Sequence, residues 1–277
     1  MRSSAGTFLQ RTLTYLMLVL GAVLFTYPFL WMIAGSFKPE LEVSTLSLVS
    51  SRMTIESYKA VLTKIPLGRA FFNSILVSAT VTTSVVLFGS LVGYALAKLR
   101  FVGSKVLFVV ILFTMMIPFH IVIIPQYILM VKLGWTDSYL GLIAPTMMSA
   151  FSIMLFRQFF QSVPTALIDA ARIDGCSELR ILFHLVWPLS RPVIVTVAIL
   201  TFMTSWNEVL WPLMVVRERS LMTMPQLVTL FTIGGEAESQ LGALLAAATL
   251  LSLPVIIAYA FFQRYFIESM ATSGLKG

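Results

Sequence analysis

The sequence predicts an all-α integral membrane protein with six transmembrane helices, and two observations support this fold class. The first is composition: 58% of the 277 residues are hydrophobic, 11% are charged, and the mean hydropathy is +0.92. A soluble domain usually carries about 25% charged residues, so one soluble core could not bury this much apolar surface. The second is the length of the apolar runs, because roughly 20 helical residues are needed to cross the hydrocarbon layer of a bilayer.

Six apolar segments are long enough to cross a bilayer as helices. We predict spans near residues 13–34, 71–97, 106–130, 139–160, 193–215 and 241–262. Residues 1–277 are therefore predicted to form a single transmembrane domain, with a polar loop at 161–191 between the fourth and fifth spans. The first segment has an apolar core too long for a secretory signal peptide, so we expect a retained anchor.

The basic residues predict which side of the membrane each loop faces. The short segment 98–105 contains three basic residues and no acidic residue. Short cytoplasmic loops are enriched in Lys and Arg, so this segment and both chain termini are assigned to the cytoplasm. The segments 38–70 and 217–240 are then external. Their length favours contact with a partner or a ligand, and TIGGEAESQ at 232–240 predicts an adaptable loop.

Composition also excludes several classes of function. The net charge of +7 does not indicate nucleic-acid binding, because no Lys/Arg run with interleaved aromatic residues occurs in the sequence. Cys176 is the only cysteine, so an intrachain disulfide and a cysteine-based metal site are both excluded. His120 and His184 are far apart in the sequence, and neither has the neighbouring ligands that a metal site requires.

A charged stretch, DAARIDG at 169–175, interrupts the apolar sequence within the loop 161–191. Ser162 is the predicted N-cap of a helix over 165–174, and Pro164 suits its first turn. Gly175 follows at the position where a helix often ends with a left-handed residue, a conformation that Gly adopts without steric cost. We therefore predict a short helix with a glycine corner at its end.

A second short helix is predicted to begin at Ser177 and to end at Pro188. The two helices and the glycine between them would form a compact corner on the cytoplasmic face of the membrane. Ala170 and Ala171 leave one side of the first helix flat enough for close approach by another protein. The side chains predicted to remain available for polar contacts are Arg172 and Asp174.

The run DAARIDGCSELRILFHLVWP resembles the cytoplasmic loop signature of ABC-transporter permeases. That signature reads Glu-Ala-Ala, three residues, Gly, nine residues, Ile, one residue, Leu, Pro, and Asp, Leu and Trp replace its Glu, Ile and Leu here. YPFLWMIAGSFKP, LFRQFFQSVP, SWNEVLWPL and FFQRYFIESM are similar to the maltose-type carbohydrate permeases, so the resemblance covers nearly the whole chain. The residues that match the loop signature in position are Asp169, Ala170, Ala171, Gly175, Leu185, Trp187 and Pro188.

The resemblance implies a subunit of an ATP-driven sugar importer in the bacterial inner membrane. A second homologous permease would complete the pathway, a cytoplasmic ATPase dimer would bind the loop 161–191, and an extracytoplasmic binding protein would deliver the solute. ATP and Mg would be bound by the partner subunits, because this chain has no Gly-rich phosphate-binding motif. GSLVG at 89–93 lacks the necessary Lys and is expected to mediate helix packing. The residues implied in ATPase coupling are Asp169, Ala170, Ala171, Arg172, Asp174, Gly175 and Pro188.

Four residues of the fifth predicted span are candidates for the solute path, namely Trp206, Asn207, Glu208 and Trp211. An ionisable group in a span is costly and usually faces protein or water. Aromatic faces can stack on sugar rings, while amide and carboxylate groups can bond sugar hydroxyls. A structural contact with the partner permease, or a position of Trp211 at the membrane interface, explains these residues equally well.

Two further features bear on function. Pro118 and Pro125 are predicted to kink the third span, because proline removes a backbone hydrogen bond. A secondary transporter is an alternative function, but it would need intramembrane ion carriers, and Glu208 is the only acidic residue in the predicted spans. An ABC permease for a solute other than a sugar also remains open.

Overall fold

The computed structural model describes residues 4–233 and 240–274, with side chains described for 10–233, 240–257 and 259–260. Every regular element in those residues is helical, as the sequence predicts. Contacts divide the chain into two units, one made of Met1–Leu67 and Val228–Pro254 and the other of Gly68–Leu227 and Val255–Gly277. The single domain over residues 1–277 stays a prediction.

The first unit begins with the long helix α1 (Ser4–Ser36) and continues into α2 (Glu40–Val43) and α3 (Glu56–Lys64). The apolar part of this helix has a mean hydropathy of 2.1, and none of residues 10–34 is buried in the chain, so this surface is suited to lipid or to another subunit. The predicted span 13–34 therefore corresponds to one continuous helix.

The polar segment after α1 is ordered. The ammonium group of Lys38 is buried and donates hydrogen bonds to the Thr45 hydroxyl, at 3.1 Å, and to the Ser47 carbonyl. The Glu40 carboxylate accepts the backbone N–H groups of Leu241 and Gly242 at the start of α15 (Leu241–Gly274). A buried cation and a capped helix start therefore hold this segment in place.

In the second unit, α4 (Leu67–Lys98) is a continuous helix that agrees with the predicted span 71–97. Its GSLVG stretch packs against α8 (Ala150–Ser162), as predicted. A Cβ added at Gly89 would lie 2.7 Å from the Ser152 hydroxyl, and one added at Gly93 would lie 2.6 Å from the Phe156 Cβ. The two glycines therefore allow the two helices to approach closely.

The third predicted span, 106–130, is not one straight helix. It consists of α5 (Ser104–Met116) and α6 (Phe119–Leu133), which are bent by 100° at their junction. Ile117 is extended and Pro118 stands at the start of α6, because the proline ring disfavours a helical conformation in the preceding residue. The predicted kink is confirmed at Pro118, whereas α6 continues through Pro125.

The fourth and fifth predicted spans are also interrupted. The fourth consists of α7 (Tyr139–Ile143), a 3-10 turn at Ala144–Thr146, and α8, with a bend of 43°. The fifth consists of α12 (Arg191–Trp206) and α13 (Leu210–Val215), separated by three residues. The predicted spans 139–160 and 193–215 are therefore interrupted helices, because a hydropathy pattern does not register such breaks.

The segment 217–240, which is predicted to be external, contains more structure than the sequence predicts. A 3-10 turn at Arg219–Leu221 precedes α14 (Met224–Ile233), whose apolar residues are largely buried. The rest of the predicted adaptable loop, residues 234–239, lies outside the described residues. The turn is held from α4, because the buried Asn73 amide donates to the carbonyls of Ser220 and Met222 at 2.9 Å each.

Asp137 holds the beginning of the segment 217–240. Its carboxylate accepts the backbone N–H groups of Arg217 and Glu218 at 2.6 and 2.9 Å. These hydrogen bonds, first the one from Glu218 and then the one from Arg217, lower the pKa of Asp137 below its usual value. Asp137 has a φ of +49°, a left-handed conformation that Asp tolerates better than most residues. Asn73 and Asp137 are structural residues that the sequence analysis missed.

Candidate solute cavity and loop 161–191

A cavity of about 550 Å³ lies within the second unit. This volume is within the range of small-molecule sites, roughly 300–1,000 Å³. Its wall combines apolar side chains with hydroxyl, amide and carboxylate groups. The lining residues are Val77, Val81, Val85, Phe119, Gln126, Leu142, Pro145, Thr146, Met148, Ser149, Phe151, Leu200, Thr201, Thr204, Ser205, Glu208, Trp211, Pro212 and Thr223.

One wall of the cavity is formed by the polar face of α12 and by Glu208, two residues after the end of this helix. Thr201, Thr204 and Ser205 follow the spacing i, i+3 and i+4, which places them on one side of α12, and Glu208 follows the end of this helix. The Thr204 hydroxyl donates to the Leu200 carbonyl at 2.8 Å, which leaves its lone pairs able to accept further hydrogen bonds. The polar residues of this otherwise apolar helix are therefore concentrated at the cavity.

The break between α12 and α13 places Glu208 at the cavity wall. Glu208 Oε1 accepts the Trp211 N–H at 3.1 Å and so satisfies a backbone donor in the first turn of α13. Oε2 has no recorded hydrogen-bond partner in the part of the chain that the structure describes. One oxygen thus stabilises the local fold, and the other is available to a ligand.

Of the four residues of SWNEVLWPL that were predicted for the solute path, two line the cavity and two do not. Glu208 and Trp211 line the cavity, and the Trp211 indole N–H donates to the Gly141 carbonyl at 2.9 Å. Trp206 is 1% exposed and packs against Phe71 and Phe202 instead. Asn207 is absent from the lining, and its amide donates to the Met203 carbonyl at 2.8 Å. Trp206 therefore contributes to packing, and Asn207 ends the helix α12.

Several lining residues were missed by the sequence analysis. Phe119 and Phe151 supply exposed aromatic surface, and Gln126 supplies an amide from α6. The helical spacing of Thr201, Thr204, Ser205 and Glu208 was a signal that could have been found in the sequence. By contrast, the aromatic and amide groups on other helices show no pattern before those helices are brought together.

The loop 161–191 contains the predicted helix, with a different beginning. The helix α9 (Thr165–Ile173) begins after Pro164, which occupies the N-cap position, and no side chain caps this helix start. Ser162 is not its N-cap, because the Ser162 hydroxyl donates back to the Phe159 carbonyl in α8 at 2.6 Å. Pro164 can take this place because the first N–H groups of a helix have no partner within the helix.

The end of α9 agrees with the prediction at Gly175. Its φ is +79°, and its N–H donates to the Arg172 carbonyl while the Cys176 N–H donates to the Ala171 carbonyl, both at 3.0 Å. This pair of hydrogen bonds defines a Schellman ending, which requires a left-handed residue at the glycine position. The corner is therefore built from ordered backbone hydrogen bonds.

Arg172 is engaged within the chain, so the prediction that it stays available for external contacts is wrong. Its guanidinium donates to Glu178 Oε1 at 2.7 Å and to Asp169 Oδ1 at 3.0 Å. The Tyr94 hydroxyl donates to Glu178 Oε2 at 2.6 Å, which ties the loop to α4. The Arg172 hydrogen bond holds the pKa of Glu178 below its usual value, with a smaller contribution from Tyr94.

The second part of the loop is longer and less regular than predicted. The helix α10 (Glu178–Ile181) begins with Ser177, whose hydroxyl accepts the Arg180 N–H. It continues through a π-helical turn at Leu182–Val186 into α11 (Trp187–Leu189). Pro188 therefore does not end the helix. The helical run includes Pro188 and ends one residue later, at Leu189.

The outer face of the corner is exposed in the chain. Asp169, Ala170, Asp174 and Gly175 are exposed, and Ala171 is partly buried. Exposed apolar side chains flank them, with Ile173 at 87% exposure. Exposed apolar side chains on an ordered element are a feature of contact surfaces between proteins.

Comparison with known proteins identifies the class. Residues 85–272 match the family of binding-protein-dependent transport system inner membrane components. The chain belongs to this family, and it is a multi-pass membrane protein.

Several relatives are permeases of named transport systems. The arabinooligosaccharides transport system permease protein of Halalkalibacterium halodurans is 37% identical over 92% of this chain and 93% of the relative. The sn-glycerol-3-phosphate transport system permease protein of Pectobacterium atrosepticum is 34% identical over 75% and 74% of the two chains. The lactose transport system permease protein of Rhizobium radiobacter is 28% identical over 94% of each chain.

A solved structure has the same fold. It is a chain of a bacterial ABC transporter involved in the import of the acidic polysaccharide alginate, with a TM-score of 0.83. The match covers 96% of this chain and 99% of that chain at 24% identity. At this identity the match establishes the fold and leaves the solute to be argued from the cavity.

Proposed function

We propose that this chain is a permease subunit of an ATP-driven importer of a sugar or sugar-like solute. Residues 1–277 form one permease domain with six spans, both termini lie in the cytoplasm, and the membrane is the bacterial inner membrane. A second homologous permease completes the pathway, and an extracytoplasmic binding protein delivers the solute to the external segments 38–70 and 217–240.

The polar lining of the cavity is the observation that carries the proposal for the solute. Hydroxyls of Thr201, Thr204 and Ser205 and the Glu208 carboxylate converge on a volume of about 550 Å³. A sugar presents alternating hydroxyl groups and C–H faces, which match such groups and the nearby Phe119 and Phe151 rings. The relatives include permeases of arabinooligosaccharide and lactose systems, and this supports the same solute class.

The loop 161–191 is the proposed contact for the ATPase dimer, whose subunits bind ATP and Mg. Asp169, Ala170, Ala171 and Asp174 form the docking face, and Gly175 keeps its shape. Arg172 acts inside the loop as a positioning residue, because it holds Asp169 and Glu178 together. Pro188 lies just before the bend of 88° that leads into α12, so movement of the loop would reach the cavity wall directly.

The test is uptake by the complete complex in proteoliposomes. This chain is co-expressed with its second permease and ATPase, and binding protein with radiolabelled arabinooligosaccharide, lactose or maltose is added outside. We expect uptake that requires both ATP and the binding protein. Uptake driven by an ion gradient without ATP would overturn the proposal in favour of a secondary transporter.

Variants of Ala171 provide the matched control for the docking face. Ala171→Asp adds charge and volume to the proposed contact and should lose both the ATPase and ATP-dependent uptake. Ala171→Ser keeps a small side chain and should retain both. If both variants retain the ATPase and transport normally, the loop 161–191 is only a connection between spans.

A further inference from the structure

The described lining of the cavity carries negative charge only. Among its described lining residues there is no Lys, Arg or His, and the one ionisable group is the Glu208 carboxylate. This group already satisfies the Trp211 N–H, and no cation is recorded as its partner in the described part of the chain. A solute that enters the cavity therefore meets hydroxyl, amide and carboxylate oxygens of this chain, and the described lining residues present no positively charged side chain to it.

Helix starts compensate only in part for the missing cation. The start of a helix can bind an anion through its unpaired N–H groups. At two helix starts beside the cavity an oxygen of this chain occupies one such donor: Glu208 accepts the Trp211 N–H, and the Ser149 hydroxyl accepts the Ser152 N–H at 3.3 Å. The start of α6, at the lining residue Phe119, has no side-chain cap, but the partial positive charge of a helix start is smaller than the full negative charge of the Glu208 carboxylate.

The remaining polar groups suit uncharged hydroxyls. Glu208 Oε2 and the Thr204 lone pairs accept hydrogen bonds, and Gln126 both donates and accepts. The Thr223 hydroxyl is buried at the cavity wall without a recorded partner among the described residues, so a solute hydroxyl that reached it would satisfy an otherwise costly group. An anion placed here would be desolvated beside a like charge, which is unfavourable in a low-dielectric site.

We infer that Glu208 makes this permease selective for an uncharged sugar or polyol and excludes phosphorylated and uronic-acid solutes. The inference rests on the proposed function and narrows its solute class. Sequence identity does not decide between neutral and anionic solutes. This chain is 37% identical to a permease of an arabinooligosaccharide system and 34% identical to a permease of a glycerol-3-phosphate system. The charge of the cavity bears on this question, because an anionic solute would be desolvated beside the Glu208 carboxylate, whereas a neutral solute does not meet this repulsion.

The test measures occupancy of the cavity directly, because the binding protein has a selectivity of its own. Thr204→Cys is made in a Cys176→Ser background, and the complete complex is held with a non-hydrolysable ATP analogue and Mg. Alkylation by uncharged N-ethylmaleimide is followed while solutes are added. The neutral solutes are arabinotriose, lactose, maltose and glycerol, and the anionic solutes are lactobionate, digalacturonate and sn-glycerol 3-phosphate.

With Glu208 present, we expect at least one neutral solute to protect the cysteine, and anionic counterparts to need roughly tenfold higher concentration or more, which corresponds to about 1.4 kcal/mol. Glu208→Gln keeps an oxygen acceptor for the Trp211 N–H and removes the charge. It should therefore bring the ratio of protecting concentrations, anionic solute to neutral solute, towards one. Gln126→Glu adds a second carboxylate and should widen it. The second variant keeps the test decisive if Glu208→Gln fails to assemble.

Three results would overturn the inference. The first is equal protection by neutral and anionic solutes with Glu208 present, and the second is protection by anionic solutes alone. The third is ATP-dependent sugar uptake with no protection of the Thr204→Cys site by any solute, which would move the solute path elsewhere and leave the proposed function intact. Absence of ATP-dependent uptake of every solute would instead reject the proposed function together with the inference.

Discussion

At the scale of single residues, Gly175 is required for its backbone conformation alone. A Cβ added at this position would meet no atom within 4 Å, so a side chain has room. Its φ of +79° is unfavourable for any residue with a Cβ, by about 1–2 kcal/mol, and least so for Asn and Asp. The two Schellman hydrogen bonds depend on this conformation, and they set the direction in which the chain leaves α9.

We predict that Gly175→Val loses coupling and Gly175→Asn largely keeps it. Valine opposes the left-handed backbone, so the corner should rearrange and the ATPase should detach or hydrolyse ATP without transport. Asparagine fills similar space but tolerates the conformation. The measurement is ATPase retention together with uptake in the purified complex. Equal behaviour of the two variants would show that side-chain bulk, and not backbone conformation, matters at the corner.

At the scale of elements, the contact between α4 and α8 depends on two small residues. A Cβ at Gly93 would lie 2.6 Å from the Phe156 Cβ and 3.0 Å from the Arg157 backbone nitrogen. Neither atom can move without moving its helix, because both belong to or adjoin the backbone of α8. The same pair of helices supports both proposed sites, since Val77 and Phe151 line the cavity and Tyr94 bonds the loop 161–191.

Gly93→Ala should therefore destabilise the protein by about 1–3 kcal/mol, the usual cost of overpacking a well-packed contact. Gly21→Ala in α1 is the matched control, because a Cβ there meets nothing within 4 Å and alanine favours a helix over glycine. Thermal unfolding of the two purified variants in detergent gives the comparison. Similar transition temperatures for both would mean that α8 relaxes to accept the methyl group.

At the scale of the whole molecule, the arrangement of the helices in the membrane follows from charge and length together. The segments assigned to the cytoplasm by their basic residues, 98–105 and 161–191, are joined within the second unit: the Lys98 ammonium donates to the Val163 carbonyl at 2.6 Å. Two segments that touch must lie on the same side of the membrane. The structure is therefore compatible with the orientation that the positive-inside rule predicts.

Accessibility to a membrane-impermeant thiol reagent tests this orientation. In a Cys176→Ser background whose transport has been verified, Ser162→Cys should be shielded in intact cells and labelled after lysis. Ser47→Cys should be labelled in intact cells. Both serines are exposed in the chain, so a difference in labelling reports the membrane side. The reverse pattern would invert the orientation, and labelling of both in intact cells would reject the six-span arrangement.

The sequence by itself determined the features that depend on composition and local geometry. Apolar content indicated a membrane protein, and the uninterrupted helices α1, α4 and α15 fall where hydropathy predicts spans. The left-handed glycine at 175, the bend at Pro118 and the close packing of the GSLVG stretch were also predictable. Each follows from the conformational limits of one or two residue types, which act over a few residues.

The tertiary structure decided which polar groups face a common space. Trp206 and Trp211 look alike in the sequence, yet one is packed against two phenylalanines and the other lines the cavity. Arg172 was predicted to be available for a partner, but its guanidinium forms ion pairs with Glu178 and Asp169. The cavity unites side chains of α4, α6, α8 and α12, which are separated by tens of residues. Their convergence depends on how the bent helices pack, and helix packing is a property of the whole surface of each helix, which a local sequence pattern does not specify.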